Sequence, residues 1–225
     1  MAVTPASRFP ATELLDIARH GPVIPVIVID RVPDALPLAE ALLAGGVRVL
    51  EVTLRTAAGL PAIEAIARHL PEAVVGVGTV LDADDARRAS QAGARFAVSP
   101  GYTAAVGSAC QRLNLPLLPG VATSSDIMAA LADGFSFLKL FPAEAVGGLA
   151  LLKSWASPFA RVSFCPTGGI TQASAPHYLA LPQVRCVGGS WLTPTDAIRA
   201  GDWARITALA RASHALRNAG PGSSE

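Results

Sequence analysis

The chain has 225 residues, of which 51% are apolar and 16% are charged, and its formal net charge at pH 7 is +1. This composition supports one large core, so we expect a single domain over residues 1–225 with a flexible tail over about 218–225. The near-neutral charge argues against a nucleic-acid-binding surface. No apolar run is long enough to span a membrane. Because the N-terminus also lacks the pattern of a secretory signal, we expect a cytoplasmic protein.

Short apolar and β-branched runs alternate with helical patterns along the chain. The runs cover residues 23–29, 47–54, 73–80, 95–100, 115–121, 136–142, 161–169 and 184–190. Strands that alternate with helices form a parallel sheet, and their continuous apolar character indicates that both faces are covered. Eight such units predict an α/β fold of the (β/α)8 TIM-barrel type. We expect an N-terminal helix over about residues 11–20 to close its bottom and a last helix over about 202–217.

The structural alternative is an open, doubly wound sheet. Such a sheet usually has five or six strands and carries the glycine fingerprint GxGxxG after the first strand. Here the first run ends in Ile29, Asp30 and Arg31, with no such fingerprint. The barrel is therefore the preferred fold, and functional groups are expected at the carboxyl ends of its strands.

The second predicted strand carries two charged residues, Glu51 and Arg55. Side chains alternate between the two faces of a strand, so residues 51, 53 and 55 share one face, which we expect to line the barrel interior. Two charges in so apolar a strand are costly to bury unless they are paired or used by a reaction. A structural ion pair between them is the alternative to a catalytic role.

Glycines and small polar residues mark the ends of the third and fourth predicted strands. The third ends in Gly76, Gly78 and Thr79, where the glycines permit close approach of the backbone to a ligand and the threonine offers a hydroxyl. A glycine-kinked strand with a structural threonine explains the same pattern. The fourth ends in Ser-Pro-Gly (99–101), which indicates a turn in the first place and a binding loop in the second.

The sixth predicted strand carries a lysine, Lys139. Of the 18 basic residues only Lys139 and Lys153 are lysines, and a lysine, unlike an arginine, can lose its proton and act as an amine. Lys139 shares the inner face of its strand with Phe137 and Phe141. Burial disfavours the ammonium form, and a neutral lysine amine attacks carbonyl groups to give a Schiff base. The alternative is a lysine that pairs with Glu51 for structure only.

Two Gly-Gly pairs end the seventh and eighth predicted strands, in Thr167-Gly168-Gly169 and Gly188-Gly189-Ser190. Small residues with free amides ahead of helix N-termini bind anions, and barrels frequently bind phosphate after their last two strands. We therefore expect a phosphate cradle here. Glycine-rich turns without a ligand are the alternative.

The residues that usually hold metal ions do not cluster in the sequence. The four histidines lie in helices or at helix ends, and none is spaced for metal binding with a cysteine or a carboxylate. We therefore expect no metal and no cofactor. The three cysteines, Cys110, Cys165 and Cys186, form no CxxC pair, and we expect buried thiols in a reducing compartment.

Seven motifs follow the predicted strands in order: GGVRVLEVTLRT, VGVGTV, SPG, PGVATSSD, KLFPAE, PTGGI and GGSWL. They resemble those of the 2-keto-3-deoxy-6-phosphogluconate (KDPG) aldolases, a family that is often bifunctional with 4-hydroxy-2-oxoglutarate (KHG) aldolase activity. The likeness runs from about Gly21 to Ala210. It implies a (β/α)8 barrel, a homotrimer, and a class I aldolase of the Entner–Doudoroff pathway that uses a lysine Schiff base without a metal.

The resemblance also implies a substrate and a role for each site residue. The substrate is a phosphorylated 2-keto acid, 2-dehydro-3-deoxy-6-phosphogluconate, which is cleaved to pyruvate and glyceraldehyde 3-phosphate. KHG would be cleaved to pyruvate and glyoxylate. Lys139 is the Schiff-base lysine and Glu51 the proton-transfer carboxylate. Residues that bind substrate are Arg55 and Thr79 at the pyruvyl carboxylate, Pro100 and Phe141 at the walls of the pyruvyl pocket, and Thr167, Gly168, Gly169, Gly189 and Ser190 at the sugar hydroxyls and phosphate.

The chain departs from some members of the family at one place. Those members carry an arginine at the end of the first strand, where this chain has Val28 and Ile29, so carboxylate recognition depends more on Arg55. Three alternative functions share the phosphate cradle: an aldolase for the 6-phosphogalactonate epimer, a phosphosugar isomerase or epimerase, and a regulatory barrel that binds a phosphosugar. The isomerase or epimerase has no need of a buried lysine on the sixth strand.

Overall fold

The computed structural model describes residues 11–216, with side chains from residue 14 onwards, so the tail predicted over about 218–225 lies outside it. The strands are β1 (Val23–Ile27), β2 (Val49–Thr53), β3 (Val74–Gly78), β4 (Ala97–Val98), β5 (Leu117–Leu118), β6 (Gly120–Val121), β7 (Phe137–Leu140), β8 (Ser163–Pro166) and β9 (Val187–Gly189). The helices are α1 (Ala11–Ala18), α2 (Ala35–Ala44), α3 (Gly59–His69), α4 (Ala83–Gln91), α5 (Ala104–Arg112), α6 (Ser124–Ala132), α7 (Gly148–Trp155), α8 (Ala175–Leu179), α9 (Thr195–Ala200) and α10 (Trp203–Ala215). Two short 3-10 helices cover Val32–Asp34 and Glu144–Val146.

The strands form a parallel sheet that closes on itself. One stretch runs in the order β5-β4-β3-β2-β1-β9 and the other in the order β6-β7-β8. Strands β5 and β6 are halves of one barrel strand, interrupted at Pro119, whose carbonyl accepts a hydrogen bond from the Lys139 amide at 2.8 Å. Two parallel bridges, Phe164–Val184 and Thr167–Gly188, join β8 to the segment that ends in β9. The predicted (β/α)8 barrel is therefore confirmed.

Strands β4, β5 and β6 are shorter than predicted, with two residues each. Residues 95–100 were expected to be extended, yet the ladder of β4 includes only Ala97 and Val98. Prolines at 100, 116 and 119 flank or interrupt these strands, and proline has no N–H to donate to a ladder. The path of the chain agrees with the prediction, and only the extent of regular pairing differs.

The barrel interior has an apolar lower half. Leu14 and Ala18 of α1 pack in one cluster with inward-facing strand residues. The other residues of this cluster lie on the strands or, for Phe96 and Cys186, directly before a strand: Ile24, Val49, Val74, Phe96, Val98, Leu118, Phe137, Cys165 and Cys186. The expected closure of the barrel bottom by the N-terminal helix is thus confirmed. Outward-facing residues such as Leu138 and Leu140 belong to the separate cluster that packs against the surrounding helices.

Side-chain caps fix where several helices begin. Thr123 accepts the amide hydrogen of Asp126, and the Asp126 carboxylate accepts the amide of Thr123 in return, which is a capping box at the start of α6. Asp82, Thr103 and Asp202 cap α4, α5 and α10 more simply, since each side chain accepts one amide hydrogen of the first turn. No helix described between residues 11 and 216 is long and apolar enough to cross a membrane.

The three cysteines are buried free thiols, as expected. Burial raises the pKa of the Cys110 thiol to about 11. A hydrogen bond with Cys165, together with burial, raises the pKa of Cys186 well above its ordinary value. The Cys110 and Cys186 thiols therefore remain protonated at neutral pH and act as small apolar side chains.

Substitution of Gly76 tests the packing of the barrel interior. A Cβ at Gly76 would collide with the Phe96 ring, whereas a Cβ at Gly101 would have no neighbour within 4 Å. Gly76→Ala should therefore lower the free energy of unfolding by about 1–3 kcal/mol because the core becomes overpacked. The matched control Gly101→Ala should leave it unchanged or raise it by up to about 1 kcal/mol. Urea unfolding measures both, and equal effects of the two substitutions would contradict the packing described here.

Candidate active site

Lys139 and Glu51 meet inside the barrel, above the apolar cluster. The Lys139 Nζ lies 3.3 Å from the Glu51 Oε1, and the two side chains are only 4% and 3% exposed. Lys139 comes from β7 and Glu51 from β2, so only closure of the barrel brings them together. The inward orientation predicted for both residues is confirmed. A buried amine beside a buried carboxylate has a proton acceptor within reach.

Glycines on the neighbouring strand β3 make room for inward-facing side chains, including that of Glu51. A Cβ at Gly78 would collide with the carboxylate of Glu51, and a Cβ at Gly76 would collide with Phe96. The sequence had indicated that these glycines let the backbone approach a ligand. In the structure the space is filled by inward side chains of adjacent strands instead, so the physical reason for the glycines differs from the predicted one.

Arg55 and Thr79 lie together at the mouth of the barrel. Arg55 follows the end of β2, is exposed, and donates from Nε to the Thr79 Oγ1 at 3.4 Å. Thr79 has a left-handed backbone with φ of 64°, which is rare for a β-branched residue and occurs mainly at functional sites. The alternative of a structural ion pair between Glu51 and Arg55 is wrong, because the partner of Glu51 is Lys139.

Phe141 and Pro100 border the lysine. The Phe141 ring centroid lies 5.1 Å from the Lys139 Nζ, which is a cation–π distance. Pro100 follows β4 and is half-buried, and its carbonyl packs so closely on Gly120 that a Cβ there would collide with it. Gly120 is paired in register with Lys139. Both predicted wall residues therefore lie on the strands, or just past the strands, that surround the amine.

The ends of β8 and β9 come together as the predicted cradle requires. Thr167 is buried and bridges to Gly188, which has no side chain to collide with the Thr167 hydroxyl. Gly168 and Gly169 have φ of 101° and 81°, conformations that favour glycine. Their amides, and that of Ser190, donate to no backbone acceptor within residues 11–216, so they are available to an anion.

Trp191 supports the second half of the cradle and was not predicted. Its ring packs on Gly189, where any Cβ would collide with it, and its Nε1 donates to the Ser213 Oγ at 3.0 Å. The motif GGSWL contained the residue, but an aromatic next to a turn is usually part of the core. Only the structure shows that it fixes the strand end against α10.

The described residues contain no group of three or more His, Cys, Asp and Glu side chains that could hold a metal ion. The polar groups at the mouth are instead one amine, one buried carboxylate, one guanidinium and a set of free amides. A (β/α)8 barrel with these groups at the carboxyl ends of its strands has the arrangement expected of an enzyme's active site.

Comparisons with known proteins identify the family. The family model for KDPG and KHG aldolases matches residues 14–209. The chain is 52% identical over 200 residues, 89% of this chain and 94% of the relative, to the KHG/KDPG aldolase of Escherichia coli strain K12. The chain belongs to the KDPG and KHG aldolase family and is a lyase, as the motifs predicted.

Two solved structures of the family superpose closely on this barrel. The first is the KDPG aldolase of Legionella pneumophila with pyruvate captured at low pH as a covalent carbinolamine intermediate. Its TM-score is 0.87, with 47% identity and coverage of 89% of this chain and 97% of that one. The second is the aldolase of Zymomonas mobilis ZM4 with 3-phosphoglycerate, with a TM-score of 0.87, 50% identity and coverage of 92% and 97%.

Replacing one residue of the Lys139–Glu51 pair should lower the free energy of unfolding strongly, and replacing both should change it little. Lys139→Met or Glu51→Leu alone leaves an uncompensated buried charge and should lower the free energy of unfolding by about 3–5 kcal/mol. The double variant replaces the pair with apolar side chains of similar volume and should lie within about 1 kcal/mol of the wild type. Urea unfolding at pH 7 measures this double-mutant cycle. A double variant less stable than either single variant would mean that the pair is present for structure.

Proposed function

We propose that this chain is a class I aldolase that cleaves 2-dehydro-3-deoxy-6-phosphogluconate to pyruvate and glyceraldehyde 3-phosphate. The observation that carries the proposal is the buried Lys139 amine 3.3 Å from the Glu51 carboxylate. The covalent pyruvate carbinolamine in the Legionella relative supports a lysine that reacts with a keto acid. The 3-phosphoglycerate in the Zymomonas relative supports a phosphorylated substrate.

The reaction begins with attack of the Lys139 Nζ on the C2 carbonyl. Lys139 passes a proton to Glu51, the amine attacks C2, and a proton moves from the nitrogen to the former carbonyl oxygen to give a carbinolamine. Glu51 then returns its proton to the hydroxyl group, which leaves as water and gives a protonated imine, and the carboxylate is restored as a base. This imine accepts the electron pair released in the next step. The Phe141 ring beside the amine stabilises the positive charge on nitrogen.

Glu51 moves the proton that drives cleavage. It takes the proton of the C4 hydroxyl, directly or through one water, while the C3–C4 bond breaks and its electrons form an enamine. Glyceraldehyde 3-phosphate leaves, and Glu51 returns a proton to C3. Hydrolysis of the imine then releases pyruvate and restores the free amine of Lys139.

The remaining residues orient the two ends of the substrate. Arg55, with Thr79 beside it, binds the carboxylate next to the reacting carbonyl. Pro100 and Phe141 wall the pyruvyl pocket. The hydroxyls and phosphate are bound by Thr167, Gly168, Gly169, Gly189 and Ser190. Binding energy from the remote phosphate orients the C2 carbonyl towards the amine.

The chain is also proposed to cleave 4-hydroxy-2-oxoglutarate to pyruvate and glyoxylate, since the Escherichia coli relative carries both substrates in its name. That substrate carries a second carboxylate but no phosphate, so it tests cleavage without the phosphate contact. The ratios of kcat/KM for this acid, the phosphogluconate and its phosphogalactonate epimer measure how strongly the phosphate and the stereocentre are recognised.

Trapping identifies the reactive lysine. Incubation with pyruvate and sodium borohydride should add one reduced pyruvyl group, and peptide mass spectrometry should locate it on Lys139. The chain offers a matched control, because Lys153 is its one other lysine. Lys153→Met should be trapped like the wild type, and Lys139→Met should give no adduct.

Glu51→Gln separates imine formation from carbon–carbon cleavage. It should still be trapped by pyruvate but lower kcat for cleavage by roughly 10²- to 10⁴-fold, because the general base is lost. An adduct at Lys153, or cleavage by Glu51→Gln at the wild-type rate, would overturn these assignments.

We further propose a homotrimer, as the family resemblance implies. Among the described residues, Met128 and Leu131 are exposed by 64% and 38% and lie three residues apart on one face of α6, which an interface would bury. Sedimentation velocity of the full chain should give a trimer, and Met128→Lys should weaken it. A monomer at micromolar concentration would contradict the proposal.

A further inference from the structure

A buried phenol is hydrogen-bonded to the residue that packs on the predicted phosphate turn. Tyr178, on the helix α8 that follows the cradle turn, is fully buried and donates from its hydroxyl to the Glu144 Oε1 at 2.5 Å. Burial and the bond to Glu144 raise the pKa of Tyr178 far above its ordinary value, so the phenol remains a donor. Neither residue takes part in the proposed reaction.

Glu144 lies directly on the turn that is proposed to hold the phosphate. Its amide donates to the Gly168 carbonyl at 3.1 Å, and the preceding amide of Ala143 donates to the Thr167 carbonyl at 2.8 Å. A Cβ at Gly169 would come within 2.7 Å of the Glu144 Cβ and Cγ. The connection after β7 and the turn after β8 are thus a single packed unit.

This packing places a carboxylate beside an anion site. Glu144 forms no ion pair with a cation in the described part of the chain, and its one side-chain hydrogen bond there is with Tyr178. Gly148 leaves space for that contact, because a Cβ there would meet the Tyr178 hydroxyl at 2.6 Å and the Glu144 Oε2 at 3.5 Å. The carboxylate therefore lies beside Gly148, at the start of α7, with the Tyr178 hydroxyl as its hydrogen-bond donor.

We propose that Tyr178 is a positioning residue for the phosphate end of the substrate. Its hydroxyl holds the negative charge of Glu144 away from the cradle and orders the turn Thr167–Gly169 through the backbone of Glu144. Without this bond the Glu144 side chain is free to rotate towards the cradle and repel a bound phosphate. The inference rests on the proposed function, since it assigns the turn to the substrate phosphate, and it extends that function to the origin of phosphate selectivity.

Tyr178→Phe should impair the phosphorylated substrate selectively. The KM for 2-dehydro-3-deoxy-6-phosphogluconate should rise roughly tenfold, because the released Glu144 carboxylate repels the bound phosphate. kcat, pyruvate trapping on Lys139 and the KM for 4-hydroxy-2-oxoglutarate should change less than about twofold. Inorganic phosphate, measured by isothermal titration calorimetry, should bind roughly tenfold more weakly.

Neutralising Glu144 tests the electrostatic part of the inference. Glu144→Gln keeps an oxygen that accepts from Tyr178, so this variant should retain the wild-type KM. In the double variant Tyr178→Phe with Glu144→Gln the repelling charge is gone, and most of the KM and phosphate affinity should return. Failure of the second substitution to restore either would overturn the role of the charge.

The other tyrosine is a matched control. Tyr102 also donates to a carboxylate, that of Asp133, and has a raised pKa, but it lies between β4 and α5. Tyr102→Phe should leave both KM values and phosphate binding unchanged. Equal losses with both keto acids in Tyr178→Phe, together with a lower melting temperature, would mean a merely structural role and would overturn the inference. If the wild type cleaves neither keto acid, the proposed function fails, while phosphate binding still tests Tyr178.

Discussion

The contact between the Lys139 amine and the Glu51 carboxylate is the constraint around which the barrel interior is organised. Both groups are almost completely removed from water, which costs free energy that their mutual attraction only partly returns. Neighbouring strands accommodate the pair with glycines at 78 and 120, where larger residues would collide with Glu51 or with the backbone of Pro100. Such an arrangement is unfavourable as packing alone, and in the proposed reaction its value lies in a protonatable amine next to a base.

The lower half of the barrel interior is packed with apolar side chains, and the upper half carries the polar groups of the candidate active site. Below the pair, α1 and nine inward residues on the strands or directly before them fill the interior with apolar atoms. Above it, the strands end in residues with unusual backbone conformations, such as Thr79 and Gly168, which a rigid scaffold holds in place. Because the reactive groups stand on strands rather than on loops, their separation is fixed before a substrate arrives.

Local pattern was sufficient to predict the fold and the inward orientation of Glu51 and Lys139, because alternation along a strand is a short-range property. Which inward side chains touch could not be decided from the sequence, since that depends on closure and register over 88 residues. The sequence allowed both a Glu51–Arg55 pair and a Lys139–Glu51 pair, and only the structure shows that the second one forms. It also could not assign Tyr178, because a buried aromatic on a short helix has the pattern of an ordinary core residue.

The two ends of the substrate site are built by different physical means. The imine end consists of side chains fixed on β2 and β7, whose positions follow from the sheet itself. The anion end consists of backbone amides after β8 and β9, and amides point correctly only if their turn is held. Here that turn is hydrogen-bonded to the preceding connection through Ala143 and Glu144. In the proposed function, selectivity for the phosphate therefore depends on contacts between successive βα units, and reactivity depends on the strands.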